Sequence, residues 1–351
     1  MTDATEQAAA VLLHDALPQH ALPVIDISPF ITNPEADGEA AKKKVARAVH
    51  DACVEAGFFL ISNYQGVLPQ DKVDGLLQLM RRFFSLSPAY KRQLKGTYGR
   101  GYFAYGEENL STIYPEHNVN FEDKDLGDYK EGLDIGPEVP TTDPHYGELF
   151  HTPNQWPDPA SVGEEWKAQV LEYFELASRL GHVLNRIFAL SLGLPENWFE
   201  DRICPPLTRM GCGAHSDYGC CAILAQDDAG GLELYDRKGQ WVAVKPVPQT
   251  LVINIGDMMQ RWTNDRYKST LHRVINPSTG KHRFSSPFFF EPGVDCMVEC
   301  VPTCLAEGES PRYPPTRFGD HLLNMYNSTF YVNPTDQSGH DGDPGASTVL
   351  P

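Results

Sequence analysis

Residues Cys220–Tyr235 read CCAILAQDDAGGLELY: an apolar run, a turn of Asp and Gly, then a second apolar run. The same unit recurs downstream as QWVAVKP (240–246), QTLVINIGD (249–257), YKSTLHRVIN (267–276), HRFSSPFFFEP (282–292) and VDCMVECV (294–301). Short apolar segments at regular spacing, separated by turn residues, predict antiparallel strands closed into a sandwich or barrel of the jelly-roll kind. A last helix is expected near Phe318–Met325.

Upstream the texture differs. LPVIDISPF (22–30) predicts a short strand closed by a Ser-Pro turn, and GFFLISNYQGV (57–67) a buried strand. Val45, Ala48, Val49, Ala52 and Cys53 recur at helical spacing within Glu39–Ala56. A second helix is predicted over Gln70–Leu86 and the longest over Gly163–Leu192. Between Lys95 and Pro159 the periodicity fails, and Gly, Pro, Tyr and Asp predict covering loops. The expected chain is α+β with a mainly β core. It has a tail over 1–21, a helical, loop-rich region over 22–200, a β core with a closing helix over 201–330, and a polar tail over 331–351.

Composition narrows the partners. A net charge of −18 over 351 residues disfavours nucleic acid and anionic membrane. The N-terminal MTDATEQAAAVLLHDALPQ has neither the basic start nor the apolar run of an export signal, and no segment is long enough to span a bilayer. Eight cysteines in an acidic chain without such a signal predict reduced thiols and a cytoplasmic protein. Oligomeric state is left open.

The chemistry starts at GAHSDYG (213–219). His215 and Asp217 are two apart at the start of a strand, so both side chains can face one ion. His272, in a later strand, is the candidate third ligand. Two imidazoles and one carboxylate leave coordination positions open and suit non-haem Fe(II) acting with dioxygen. Arg283 and Ser285 are again two apart; a guanidinium beside a hydroxyl grips a carboxylate, and if that face is interior the charge demands an anionic partner. An arginine on an exposed edge strand would need none.

The block from Gly213 to Pro292 resembles the iron- and 2-oxoglutarate-dependent dioxygenases of the isopenicillin N synthase-like family. LPVIDISPF, AGFFLISNYQGV, FFSLSPAYKRQL, GRGYFAYGEENL and YKEGLDIG resemble its N-terminal half, so the likeness spans about residues 22–330. It implies a distorted double-stranded β-helix, a jelly-roll, cupin-like core flanked by N-terminal helices. It implies His215, Asp217 and His272 as iron ligands, and Arg283 with Ser285 on the distal carboxylate of 2-oxoglutarate. The implied cofactors are Fe(II), 2-oxoglutarate and dioxygen, with ascorbate a candidate reductant. The implied reaction is oxidation of a small organic substrate coupled to decarboxylation of 2-oxoglutarate to succinate.

Members that need no 2-oxoglutarate, an ethylene-forming variant and a non-catalytic binding protein are the alternatives. Arg100, Tyr102 and Tyr105 in the Gly-rich loop, with Phe290, are candidate substrate contacts. One interval departs from the family. EDRICPPLTRMGCGA (200–214) is short for the strand expected there, and places Cys204 where a tyrosine precedes Pro-Pro.

Overall fold

The computed structural model describes residues 22–32, 38–96, 99–108, 110, 128–148, 150–202, 214–275 and 282–329. The expected tails over 1–21 and 331–351, and the Cys204 segment, lie outside them.

Two sheets face each other. The larger has the order β1-β2-β8-β5-β10, built from β1 (Val24–Asp26), β2 (Phe58–Ser62), β8 (Leu251–Ile255), β5 (Cys221–Gln226) and β10 (Ser285–Phe290). The smaller has the order β7-β6-β9, built from β7 (Trp241–Ala243), β6 (Leu232–Tyr235) and β9 (His272–Val274). β1 and β2 come from the N-terminal half, yet β2 pairs antiparallel with β8 and carries β1 beside it in parallel. The core sheet is therefore completed by residues far upstream of the run of strands read from the sequence.

Alternation along the strands sorts side chains into two layers. Phe58, Leu60, Val252 and Leu224 point between the sheets, where they meet Leu232, Leu234, Val242 and Val244. Phe59, Ile61, Ile253, Ile223, Phe288 and Phe290 point the other way, into a larger cluster beneath the helices. Those helices are α1 (Gly38–Glu55), α2 (Gln70–Phe84) and α3 (Trp166–Ser191). α2 carries Asp71 in its first turn and Arg81 and Arg82 in its last, each opposing the helix dipole. α3 buries Val170, Tyr173, Ala177, Leu180, Leu184, Ile187 and Phe188 as one stripe. The helical spacing predicts its last five residues, whereas Leu171 and Phe174, expected at its start, are only half-buried.

A one-and-a-half-turn helix, α4 (Asp257–Trp262), follows β8 directly, and α5 (Phe318–Thr329) closes the C-terminal side. In the stretch read as loops, β3 (Gly101–Phe103) pairs with β4 (Gly132–Asp134). β11 (Met297–Val298) and β12 (Thr316–Arg317) form a last short ladder. No helix of the described residues is long and apolar enough to cross a membrane.

Candidate active site

One transverse row of the large sheet floors the site. Phe58 pairs with Asn254, Asn254 with Ala222, and Ala222 with Phe289, so all four side chains share the inner face at one level. Above this row stand His215, Asp217 and His272, all buried, with one donor atom from each within 4.8 Å of the others. His215 Nε2 lies 3.4 Å and His272 Nε2 3.7 Å from Asp217 Oδ1. Among the described residues this is the one His/Cys/Asp/Glu group placed to hold a metal ion.

The segment holding His215 and Asp217 is not the strand start that the i, i+2 spacing predicts. Residues 214–220 are irregular, and a single antiparallel bridge joins His215 to His272 through two backbone hydrogen bonds of 2.9 Å. The N-terminal end of α4 holds the rest of the segment. Gly256, Asp257 and Met258 donate their N–H groups to the carbonyls of Cys220, Asp217 and Gly219 at 2.9, 2.8 and 2.9 Å. A Cβ at position 256 would stand 2.5 Å from Gly219 O, so glycine is required for this approach. The INIGD stretch is thus the support of the metal-ligand loop, a role its sequence did not announce.

Two of the ligand side chains, Asp217 and His272, are oriented by neighbours. Asn254 Nδ2 donates to Asp217 Oδ2 at 2.5 Å. His272 Nδ1 lies 3.0 Å from Thr270 O, which fixes that nitrogen as the N–H donor and leaves the Nε2 lone pair toward Asp217. Phe58 packs edge-on against His272 with ring centroids 5.2 Å apart. Burial, with the His215 ring close beside it, pushes the His272 imidazolium down to about 4, so the ring is neutral and ready to ligate at physiological pH. Burial works against the Asp217 carboxylate, but the His215 hydrogen bond, both imidazoles and the Asn254 amide outweigh it and hold the group below its usual range.

Arg283 lies at the other end of the same inner face. It donates from Nη1 to Ser285 Oγ at 2.6 Å, from Nη2 to Gln226 Oε1 at 3.1 Å and from Nε to Gly230 O at 2.8 Å, three neutral acceptors. Ser285 pairs with Gln226, four residues along β5 from Ala222, a run of about 13 Å at the rise of a strand. Leu224 and Pro287 pair midway and make that stretch apolar. The face therefore runs from a metal-ligand set, over hydrocarbon, to a guanidinium–hydroxyl pair. Asp227 braces the arginine's segment: its Oδ2 accepts from Phe284 N at 3.0 Å, while Arg81 of α2 lies 3.6 Å from it.

The substrate candidates scatter. Phe290 is corrected: it is fully buried on the opposite face, packed on Gly181 and 5.2 Å in ring centroid from His182. β10 alternates from Ser285, so Phe289 takes the inner face and Phe290 faces α3. Tyr102 is buried beside Phe83 and donates to Glu131 Oε2 at 2.6 Å. Tyr105 is exposed and stacks on Tyr129. Arg100 is buried and lines a cavity of about 560 Å³. The sequence reading missed Asn254, Gln226 and Phe289. A lone Asn in the apolar run LVINI, and a count by twos from Ser285, were the available signals.

A buried His/Asp/His set at the mouth of a double-stranded β-helix defines the class of non-haem iron oxygenases. Comparison with known proteins agrees. The 2OG-Fe(II) oxygenase superfamily profile matches residues 190–292, across the short interval before His215, and the N-terminal profile of non-haem dioxygenase in morphine synthesis matches residues 22–159. The chain is 34% identical to the 2-oxoglutarate-Fe(II) type oxidoreductase hxnY of Emericella nidulans, over 88% of this chain and 90% of that one. It is 31% identical to a homoarginine-6-hydroxylase of Glycine max, over 88% and 97%. A full-length Neurospora crassa protein solved with alpha-KG and thymine superposes with a TM-score of 0.72 at 25% identity, covering 88% of this chain and 97% of that one. This chain belongs to the 2OG-Fe(II) oxygenase superfamily. It is a non-haem iron dioxygenase, with Fe(II) and 2-oxoglutarate as the metal and cosubstrate of its family.

Proposed function

We propose that this protein oxidises a C–H bond of a small organic substrate, with His215, Asp217 and His272 holding Fe(II) and Arg283 with Ser285 holding the distal carboxylate of 2-oxoglutarate. The observation that carries the proposal is the inner sheet face itself, with three buried ligands at one end and the guanidinium–hydroxyl pair at the other. The residues fit the groups. The His272 tautomer leaves Nε2 free to ligate, and the donor set is the one Fe(II) prefers when coordination positions stay open.

When bound, iron and 2-oxoglutarate supply dioxygen activation and the decarboxylation of the keto acid to succinate and carbon dioxide. The chain's own part is positional. Asn254 fixes the Asp217 carboxylate, α4 fixes the loop behind it, and Thr270 fixes the His272 ring. Gln226, Ser285 and Gly230 O set the Arg283 fork, and Leu224 with Pro287 keep water from the stretch between. A relative named for hydroxylation of homoarginine supports hydroxylation as the outcome. The acidic chain supports a small-molecule substrate in solution and a cytoplasmic setting.

Dioxygen uptake by the iron-loaded protein, with and without 2-oxoglutarate, tests the reading when succinate is assayed in parallel. Succinate formed with stoichiometric uptake is the expected result. Uptake without the keto acid would assign the protein to the oxidases that dispense with it. No uptake in the presence of bound iron would leave only a binding role.

A further inference from the structure

Arg283 is fixed from two sides, and both lead to one carboxylate. Its Nε donates to Gly230 O, in the turn between β5 and β6, and its own backbone enters β10 through Phe284. Asp227, the first residue after β5, reaches both places. Its Oδ1 accepts from Ala229 N at 3.1 Å, inside the turn. Its Oδ2 accepts from Phe284 N at 3.0 Å, between Arg283 and Ser285.

The strand register explains the second bond. Ser285 pairs with Gln226, so Asp227 stands opposite Phe284. A hydrogen-bonded antiparallel pair exchanges two N–H···O=C bonds. Here Asp227 N donates to Phe284 O at 3.0 Å, but the returning bond from Phe284 N ends on the Asp227 side chain. The carboxylate takes the place of a carbonyl in the last rung, while the backbone turns away toward Gly230. Positive φ angles of 77° at Gly230 and 90° at Gly231 make that turn.

The helical half of the chain closes the same joint. Side chains alternate, so Arg283 and Ser285 face the inner layer and Phe284 faces α2. Phe84 of α2 packs on the Phe284 ring at a centroid distance of 6.3 Å, and the Arg81 guanidinium lies over it at 5.1 Å. Arg81 Nη2 is also 3.6 Å from Asp227 Oδ2, and Asp227 is buried. Asp227 follows Gln226 on the strand and so faces away from the inner layer; it acts on a bound keto acid only through Arg283.

We infer that Asp227, held by Arg81, is the positioning residue of the keto-acid anchor: it sets the Arg283 fork, and with it the selectivity for a cosubstrate that ends in a carboxylate. The inference rests on the assignment of Arg283 to the distal carboxylate of 2-oxoglutarate. Calorimetry on the full-length protein, loaded with Fe(II) under anaerobic conditions, tests it. The two probes are 2-oxoglutarate and 2-oxopentanoate, which has the same keto-acid end and the same chain length but finishes in a methyl group.

The wild type should prefer 2-oxoglutarate by roughly 10- to 100-fold, the range for hydrogen bonds to a charged group. Asp227→Asn keeps the shape but offers one oxygen to two N–H groups. It should cut that preference by about fivefold or more, with iron content and 2-oxopentanoate affinity unchanged. A general loosening of the fold would lower both affinities together and leave their ratio alone. Arg81→Leu should cut the preference by about two- to threefold, as expected of a half-exposed ion pair. An unchanged ratio in a folded Asp227→Asn, where Arg283→Gln abolishes it, overturns the inference and leaves the anchor standing. If Asp227→Asn does not fold, Arg81→Leu decides, and an unchanged ratio there overturns it equally. Equal binding of the two keto acids by the wild type, or a preference that survives Arg283→Gln, removes the anchor assignment and this inference with it.

Discussion

Asn254 holds Asp217: its amide donates to the carboxylate oxygen Oδ2, leaving Oδ1 as the atom shared between the two histidines. Removing an orienting partner of this kind weakens metal affinity even though no ligand is lost. Asn254→Leu is expected to weaken Fe(II) binding by roughly 10- to 100-fold. Anaerobic metal titration checks this, and an unchanged affinity would mean that Asp217 is positioned by its backbone alone.

His272→Ala deletes a ligand outright. Stoichiometric iron should be lost on passage through a desalting column, and retained iron would dismiss the His215–Asp217–His272 assignment. Because Phe58 packs on that ring, Phe58→Ala should reduce stability by about 3–5 kcal/mol as well as loosening the site.

Arg283→Gln leaves the metal set intact. It should raise the KM for 2-oxoglutarate by roughly 10- to 100-fold, the range for hydrogen bonds to a charged group, with unchanged iron content. An effect on iron binding alone would show that Arg283 supports the fold and not the cosubstrate.

Phe289 and Phe290 are neighbours with opposite duties. Phe290→Ala opens a hole under α3 and should cost about 3–5 kcal/mol in denaturant unfolding, with near-normal turnover per folded molecule. Phe289→Ala should cost less stability and alter turnover more, because its side chain lies in the row beneath the ligands. The reverse pattern would shift the register of β10 by one.

Glu196 ties Lys42 of α1 to Arg186 of α3. Burial pushes its carboxyl up, but Arg186 and Lys42 outweigh that and hold it below 4.5. A depressed acid contributes its stability above its unfolded value and loses it as pH falls through its folded one. Glu196→Gln should therefore cost about 1 kcal/mol at pH 7, given partial exposure, and the gap from wild type should close below pH 4.5. Chemical unfolding across that window provides the measurement.

What the sequence disclosed follows from how far each signal reaches. The strands after Cys220 and the stripe on α3 are local periodicities, and each was visible within its own segment. The ligands were legible because three residue types at suitable places restrict the chemistry, and a family likeness ordered them. The phase of FFF (288–290) was not legible: three identical residues carry no parity of their own, and the phase comes from Ser285 pairing with Gln226. Nor was the irregular path of residues 214–220, which depends on amide groups of α4 some forty residues away. Arg100 looked like a loop residue, yet it is buried against Gly136.

The pairing of Phe58 with Asn254 joins residues about 200 apart in the chain. During synthesis β2 leaves the ribosome long before β8 exists to receive it, and until then one edge of β2 and its inner face, Phe58 and Leu60, stay uncovered. The catalytic floor is thus among the last parts that can assemble, since half of it waits for the other half to be made. High contact order of this kind slows folding and exposes the intermediate to aggregation. Expression of this enzyme should accordingly depend on chaperones more than its final packing suggests.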